Sequence, residues 1–262
     1  MNRRGFALLA VLWVVTALTV LTGVALGVAR TGWQTTRNRV LLARAGWARE
    51  ACVEILLARF AQDPGVRRLD TIDLGRGTWC AAVLEDPAAK LNVNVVERET
   101  LSKLLSAVSH QPSAADSIVV FRRRGPIHDL RQVPGFDSST VARLAPYLTT
   151  RGTGAVNVIV ARREVLATLP GMTEAAISLL VWRRESHRPL GSADELAGAL
   201  SPSARSLFLA DYAEFVRRAV FAPQQFVASV DGGVRGTALT ARATLIVVPA
   251  SGRLAIIRRE TG

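Results

Sequence analysis

The chain has 262 residues, 49% hydrophobic and 21% charged, which allows one sizeable folded domain or two small ones beside an anchor. Its formal charge is +12, yet only Lys90 and Lys103 are lysines, so 31 of the 33 cationic residues are arginines, spread along the chain in short clusters. An arginine skew without one concentrated patch does not define a nucleic-acid groove, and two cysteines are too few for a disulfide framework.

The first predicted element is an apolar helix. From Phe6 to Ala29 there is no charge, and only Thr16, Thr19, Thr22 and two glycines interrupt the run. At about 1.5 Å per residue this stretch reaches about 36 Å, enough to cross a hydrocarbon core of about 30 Å. Gly27-Val28-Ala29 has the small-x-small form of a signal cleavage site, so a discarded signal stands beside a retained anchor as a reading. The pattern beyond Arg30 argues for retention. Leu41, Ala45, Ala48, Cys52, Ile55/Leu56 and Phe60 recur at helical spacing, flanked by Arg44, Arg49, Glu50 and Arg59, until Asp63-Pro64-Gly65 ends the run. Residues 6–61 thus read as one helix, apolar all round over 6–29 and amphipathic over 30–61. Arg3 and Arg4 precede the span, but Arg30, Arg37 and Arg39 lie just beyond it, so charge gives no support to a cytoplasmic amino terminus.

Strand character comes after the helix. Ile72/Leu74 and Trp79, Ala81, Val83 alternate around a turn at Gly75-Arg76-Gly77, with a second turn at Glu85-Asp86-Pro87. Cys52 on the helix and Cys80 on the strand are either a single bridge or two separately buried small hydrophobes.

Helical sequence with an internal repeat comes next. "NVNVVERETL" at 92–101 aligns with "NVIVARREVL" at 157–166, and Asn92 and Asn157 read as turn residues that satisfy backbone N–H groups. Val133-Pro134-Gly135-Phe136 and Leu169-Pro170-Gly171-Met172 are paired hairpin turns, each preceding an amphipathic helix. That is the helix-hairpin-helix pattern, which in DNA-binding proteins aims backbone N–H groups at phosphate. DNA-binding versions carry Gly-x-Gly, whereas Asp137 and Thr173 succeed the turns here and Asp137 would repel phosphate. A helical packing module is the better reading, with no nucleic-acid partner expected.

Beyond Arg218 strands return, with turns expected at Asp231-Gly232-Gly233 and Pro249-Ala250-Ser251-Gly252, and a hairpin of Thr244–Val248 with Leu254–Ile257. Strands on both sides of a helical block fit an interrupted sheet packed on the long helix. His110, His128 and His187 are isolated, and no phosphate loop, dinucleotide fingerprint or nucleophile elbow is present, so neither catalysis, metal nor cofactor is expected.

Arg4-Gly5 before Phe6-Ala7-Leu8-Leu9 resembles the processing site of type IV prepilins and type II secretion pseudopilins. The resemblance implies cleavage by prepilin peptidase between Gly5 and Phe6 and N-methylation of Phe6. Most relatives carry glutamate at the fifth mature position, where this chain has Ala10. That absence is a mark of the K-type minor pseudopilins (general secretion pathway protein K family). "KLNVN", "DLRQVPGF", "YLTTRGTGAVNVIVARREVLATLPGM" and "RPLGSADELAGAL" resemble that family's successive blocks. The resemblance implies an α+β fold, with a long N-terminal helix on an antiparallel sheet and a large all-helical domain inserted in the sheet. The corresponding divisions are 1–5 leader, 6–29 transmembrane, 30–61 amphipathic helix, 62–96 with 219–262 core, and 97–218 insertion. It also implies a single-pass inner-membrane protein with its bulk in the periplasm, initiating or capping the pseudopilus tip with minor pseudopilins I and J. Calcium binding, known in some relatives, is not carried over, because Asp63, Asp70, Asp73, Glu85, Asp86 and Asp116 are scattered. A membrane-anchored DNA-uptake protein and a minor pilin of a type IV pilus are the alternatives.

Overall fold

The structure, a computed structural model, describes the backbone of residues 3–109 and 113–261 and the side chains of 11–109 and 113–260. A single helix α1 (Arg3–Gln62) opens the chain, succeeded by a hairpin of β1 (Arg68–Gly75) and β2 (Thr78–Glu85). A first helical unit has β3 (Leu91–Asn92), α2 (Arg98–Ser109), α3 (Ala114–Arg122), α4 (Ser138–Leu144) and β4 (Leu148–Thr149). A second has β5 (Val156–Asn157), α5 (Arg163–Leu166), α6 (Glu174–Glu185), α7 (Ala193–Ala199), α8 (Pro202–Ala210), α9 (Tyr212–Arg218) and β6 (Ala219–Val220). The chain closes with β7 (Phe226–Val234), β8 (Thr240–Ala250) and β9 (Arg253–Thr261).

Five strands form one antiparallel sheet in the order β1-β2-β7-β8-β9. Strands β2 and β7 are direct neighbours, paired from Thr78↔Val234 to Glu85↔Val227, so both helical units are inserted between adjacent strands. One face of the sheet takes the second half of α1. Of the predicted stripe, Ala45, Ala48, Cys52, Leu56 and Phe60 are buried, and Cys52, Leu56 and Phe60 share a core with Cys80, Ala82, Phe226, Val230 and Leu245. Phe60 meets Phe226 edge-on at 5.7 Å.

Gly232 and Gly233 overturn the turn expected at 231–233, because both lie inside β7. A Cβ on Gly232 would lie 2.5 Å from the Ala45 carbonyl oxygen and closer still to the Arg49 nitrogen. On Gly233 it would lie 2.7 Å from the Trp79 indole. These glycines mark the place where helix and strand backbones touch, a tertiary cause that a local pattern does not carry. The last hairpin is also longer than expected. It turns on Ser251 (φ 49°) and Gly252 (φ 79°) alone, and Ile257 is an extra residue that bulges β9 opposite Ile246/Val247.

The inserted units are not wholly helical. Each is closed by a two-residue parallel ribbon, β3 with β4 and β5 with β6. They share one apolar core that includes Leu101, Leu104, Ile118, Leu166, Leu196 and Phe208. The repeated asparagines sit at equivalent points of the two ribbons. Asn92 Oδ1 accepts from the Asn94 amide at 2.9 Å, and Asn157 Oδ1 accepts from the Ile159 amide at 3.1 Å. Their side-chain amides donate to Gly152 O and to Asp86 Oδ2, at 2.7 Å each, so both buried side chains are satisfied. Arg151 of the insertion pairs with Glu260 of β9 at 2.7 Å and ties the helical body to the sheet edge.

Candidate functional site

The part of α1 that precedes the sheet is the candidate site. All side chains from Val11 to Val40 are exposed, among them Leu12, Trp13, Leu21 and Val28, each about two-thirds exposed or more. This is the one helix among the described residues long and apolar enough to cross a membrane. A helix is apt there because every backbone polar group is bonded within the segment. The three threonines comply as well. Thr16, Thr19 and Thr22 donate their hydroxyls to the carbonyls of Leu12, Val15 and Leu18 at 2.8 Å, leaving no free hydroxyl to desolvate.

Gly5, Phe6 and Ala10 lie on the first turns of α1, and their side chains fall outside the described residues. His110 is also outside them.

Past the span the helix becomes basic. Arg37 Cζ stands 5.5 Å from the centroid of the Trp33 ring, a cation–π pair on an exposed face. Farther on, Glu50 takes Arg49 at 2.7 Å and Arg259 of β9 at 2.7 Å. The Arg49 hydrogen bond, with Arg259 beside it, holds the Glu50 carboxyl below its ordinary value. The bulge at Ile257 turns Arg259 to the helix side of the edge strand, so helix and edge are clamped where the core ends.

Cys52 and Cys80 come together, although they are remote from the anchor. Both are fully buried in the helix–sheet core, and both are thiols. Burial, with the Cys80 thiol beside it, pushes the Cys52 thiol up and keeps it unreactive.

The two Pro-Gly turns differ in their surroundings. Gly135 (φ 86°) is open, whereas a Cβ on Gly171 (φ 69°) would lie 2.9 Å from the Phe208 carbonyl oxygen of α8. The helix after the first turn is already capped by a negative charge. Asp137 accepts from the Thr140 amide at 2.7 Å, and the Thr140 and Ser139 bonds hold its carboxyl down at about 2. Thr173 caps the second helix through the Ala176 amide at 3.3 Å. Sequence reasoning missed Arg122, which donates to Val93 O and Val96 O, and Arg184, which donates to Ala161 O. Each secures the loop after a repeated asparagine, and nothing local to either arginine signals it. Among the described residues no group of three or more His, Cys, Asp or Glu is placed to hold a metal ion.

No protein-family model matches the sequence, and no curated protein matches it. A solved chain described as part of the GspK-GspI-GspJ complex from the enterotoxigenic Escherichia coli Type 2 Secretion System is similar in structure. The TM-score is 0.55 at 13% identity, covering 89% of this chain and 99% of that one. The two chains share one fold, a long N-terminal helix on an antiparallel sheet with a helical insertion. Near-complete coverage of both chains means that the likeness takes in the sheet and the helical insertion together, not a shared helix alone.

Proposed function

We propose that this chain is a minor pseudopilin of a type II secretion system, seated at the pseudopilus tip, where it initiates or caps assembly. The observation that carries the reading is α1 with its surroundings: a bare apolar half, a half fixed on a sheet, and a bulky helical body set between two neighbouring strands. A bare half suits a helix that exchanges lipid for neighbouring helices, and the fixed half transmits that exchange to the folded body. The neighbours are minor pseudopilins of the I and J kinds, since the similar solved structure is a complex of GspK with GspI and GspJ. Residues 6–29 hold the chain in the inner membrane and the remainder lies in the periplasm. Prepilin peptidase cuts Gly5–Phe6, and Phe6 becomes the methylated amino terminus. Alanine at position 10 suits a subunit with nothing above it, because an unpaired carboxylate in hydrocarbon is costly.

The test is mass spectrometry of the chain from membranes of a host carrying the peptidase. The expected species begins at Phe6 and carries one added methyl group. Met1 retained, or a start after Ala29, overturns the reading.

A further inference from the structure

Charge is distributed unevenly along this chain. All 21 acidic residues lie at or beyond Glu50, while the first 49 residues hold seven arginines, so +7 of the net +12 sits there. Arginine richness across the whole chain does not account for this, since from Glu50 onward 26 cationic residues face 21 acidic ones. Five of the seven lie on the folded-body side of the apolar span, where positive charge opposes the usual bias of membrane insertion. Among them Arg30, Arg37 and Arg44 recur every seven residues and form one row, with Trp33 beside it, whereas Arg39 is on the opposite side.

We propose that Arg30, Trp33 and Arg37 form a binding site for the headgroup of an anionic phospholipid at the edge of the span. Helical side chains lean toward the amino terminus, which here is toward the bilayer. Trp33, 64% exposed and about 4.5 Å past Arg30 along the axis, stands at the depth where indoles sit in membranes. Arg37 is about 10 Å past Arg30, beyond a headgroup layer of about 5–7 Å, but it folds back over Trp33 and carries its charge into that layer. Arg30 and Arg37 stand about one turn to either side of Trp33 along the helix and supply a paired set of donors to one phosphate. Arg44, about 21 Å from Arg30, is out of reach. The site rests on residues 6–29 crossing the membrane, not on the role in secretion.

The full chain is placed in nanodiscs of equal phosphatidylglycerol and phosphatidylcholine, and lipid retained after mild detergent extraction is counted by native mass spectrometry. Phosphatidylglycerol is expected to be enriched, and the enrichment to fall about fivefold in Arg30→Gln and again in Arg37→Gln, with Arg44→Gln unchanged. Equal retention of the two lipids by the wild-type chain, or enrichment that survives the double substitution, overturns the site. A loss in Arg44→Gln equal to that in Arg37→Gln also overturns it, and assigns the row to an acidic neighbouring helix. Failure to enter the nanodisc sinks the spanning segment itself.

Discussion

Replacing Gly232 by alanine adds one methyl group at the point where α1 and β7 touch. That carbon would lie 2.5 Å from the Ala45 oxygen and 2.9 Å from the Arg49 Cα, with the Arg49 nitrogen nearer still. All three are helix backbone atoms, so no side chain can swing away. Ordinary contact at about 3.5–4 Å requires the helix to lift by about 1 Å, and a gap of that size forfeits a quarter to a half of the dispersion energy along the seam. The seam holds Ala45, Ala48, Cys52 and Leu56, which places the cost at the upper end of overpacking, about 3 kcal/mol. For a chain of this size that is a fall in Tm of about 6–12 °C, read by circular dichroism of the full chain in mild detergent. Gly198→Ala is the control. It lies on α7 with nothing within 4 Å of the added carbon, and is expected to be neutral or slightly stabilising. A Gly232→Ala midpoint within about 1 °C of wild type would refute the close approach of helix and sheet.

Gly171→Ala meets both a positive φ and the Phe208 oxygen, so it should cost about 2–3 kcal/mol, against about 1 kcal/mol for Gly135→Ala, where only the backbone angle objects; similar midpoints for the two would refute the buried second turn. The Asp137 cap is present above the ordinary carboxylate range, near pH 4, and is lost as pH falls toward about 2; amide exchange at Thr140 should accelerate across that window and in Asp137→Ala at neutral pH. Glu50 has the same sign, so Glu50→Gln should remove the low-pH loss at the helix–edge clamp, with a change of under about 1 kcal/mol because the pair is half-exposed. Phe60→Ala should lower stability by about 3–5 kcal/mol through the cavity left against Phe226, measured by denaturant titration.

The helix was legible because its signal is local and repetitive. A stripe that passes through Ala45, Cys52 and Phe60 has only one conformation that keeps it on one side. The asparagine repeat was legible for the same reason, since each side chain bonds an amide two residues away. The parallel ribbons were not, as two residues carry no periodicity and the partner strand is more than fifty residues away. Gly232 and Gly233 misled because aspartate before two glycines has a turn's composition, while their cause lies on α1 and on Trp79. At the candidate site the apolar span was plain from hydropathy. The Trp33–Arg37 pair has a signal, an aromatic four residues before an arginine, but it gains meaning only beside the charge imbalance around it.

Because β2 and β7 are paired neighbours, the insertion leaves and re-enters the sheet at points about 5 Å apart. A short hairpin turn could bridge that gap. Force applied along α1 therefore passes into the five strands without crossing the inserted body, which is held to the sheet by its two chain crossings and by the Arg151–Glu260 pair at the edge. Such a body can be enlarged, exchanged or lost across generations while the anchor and its seat stay as they are.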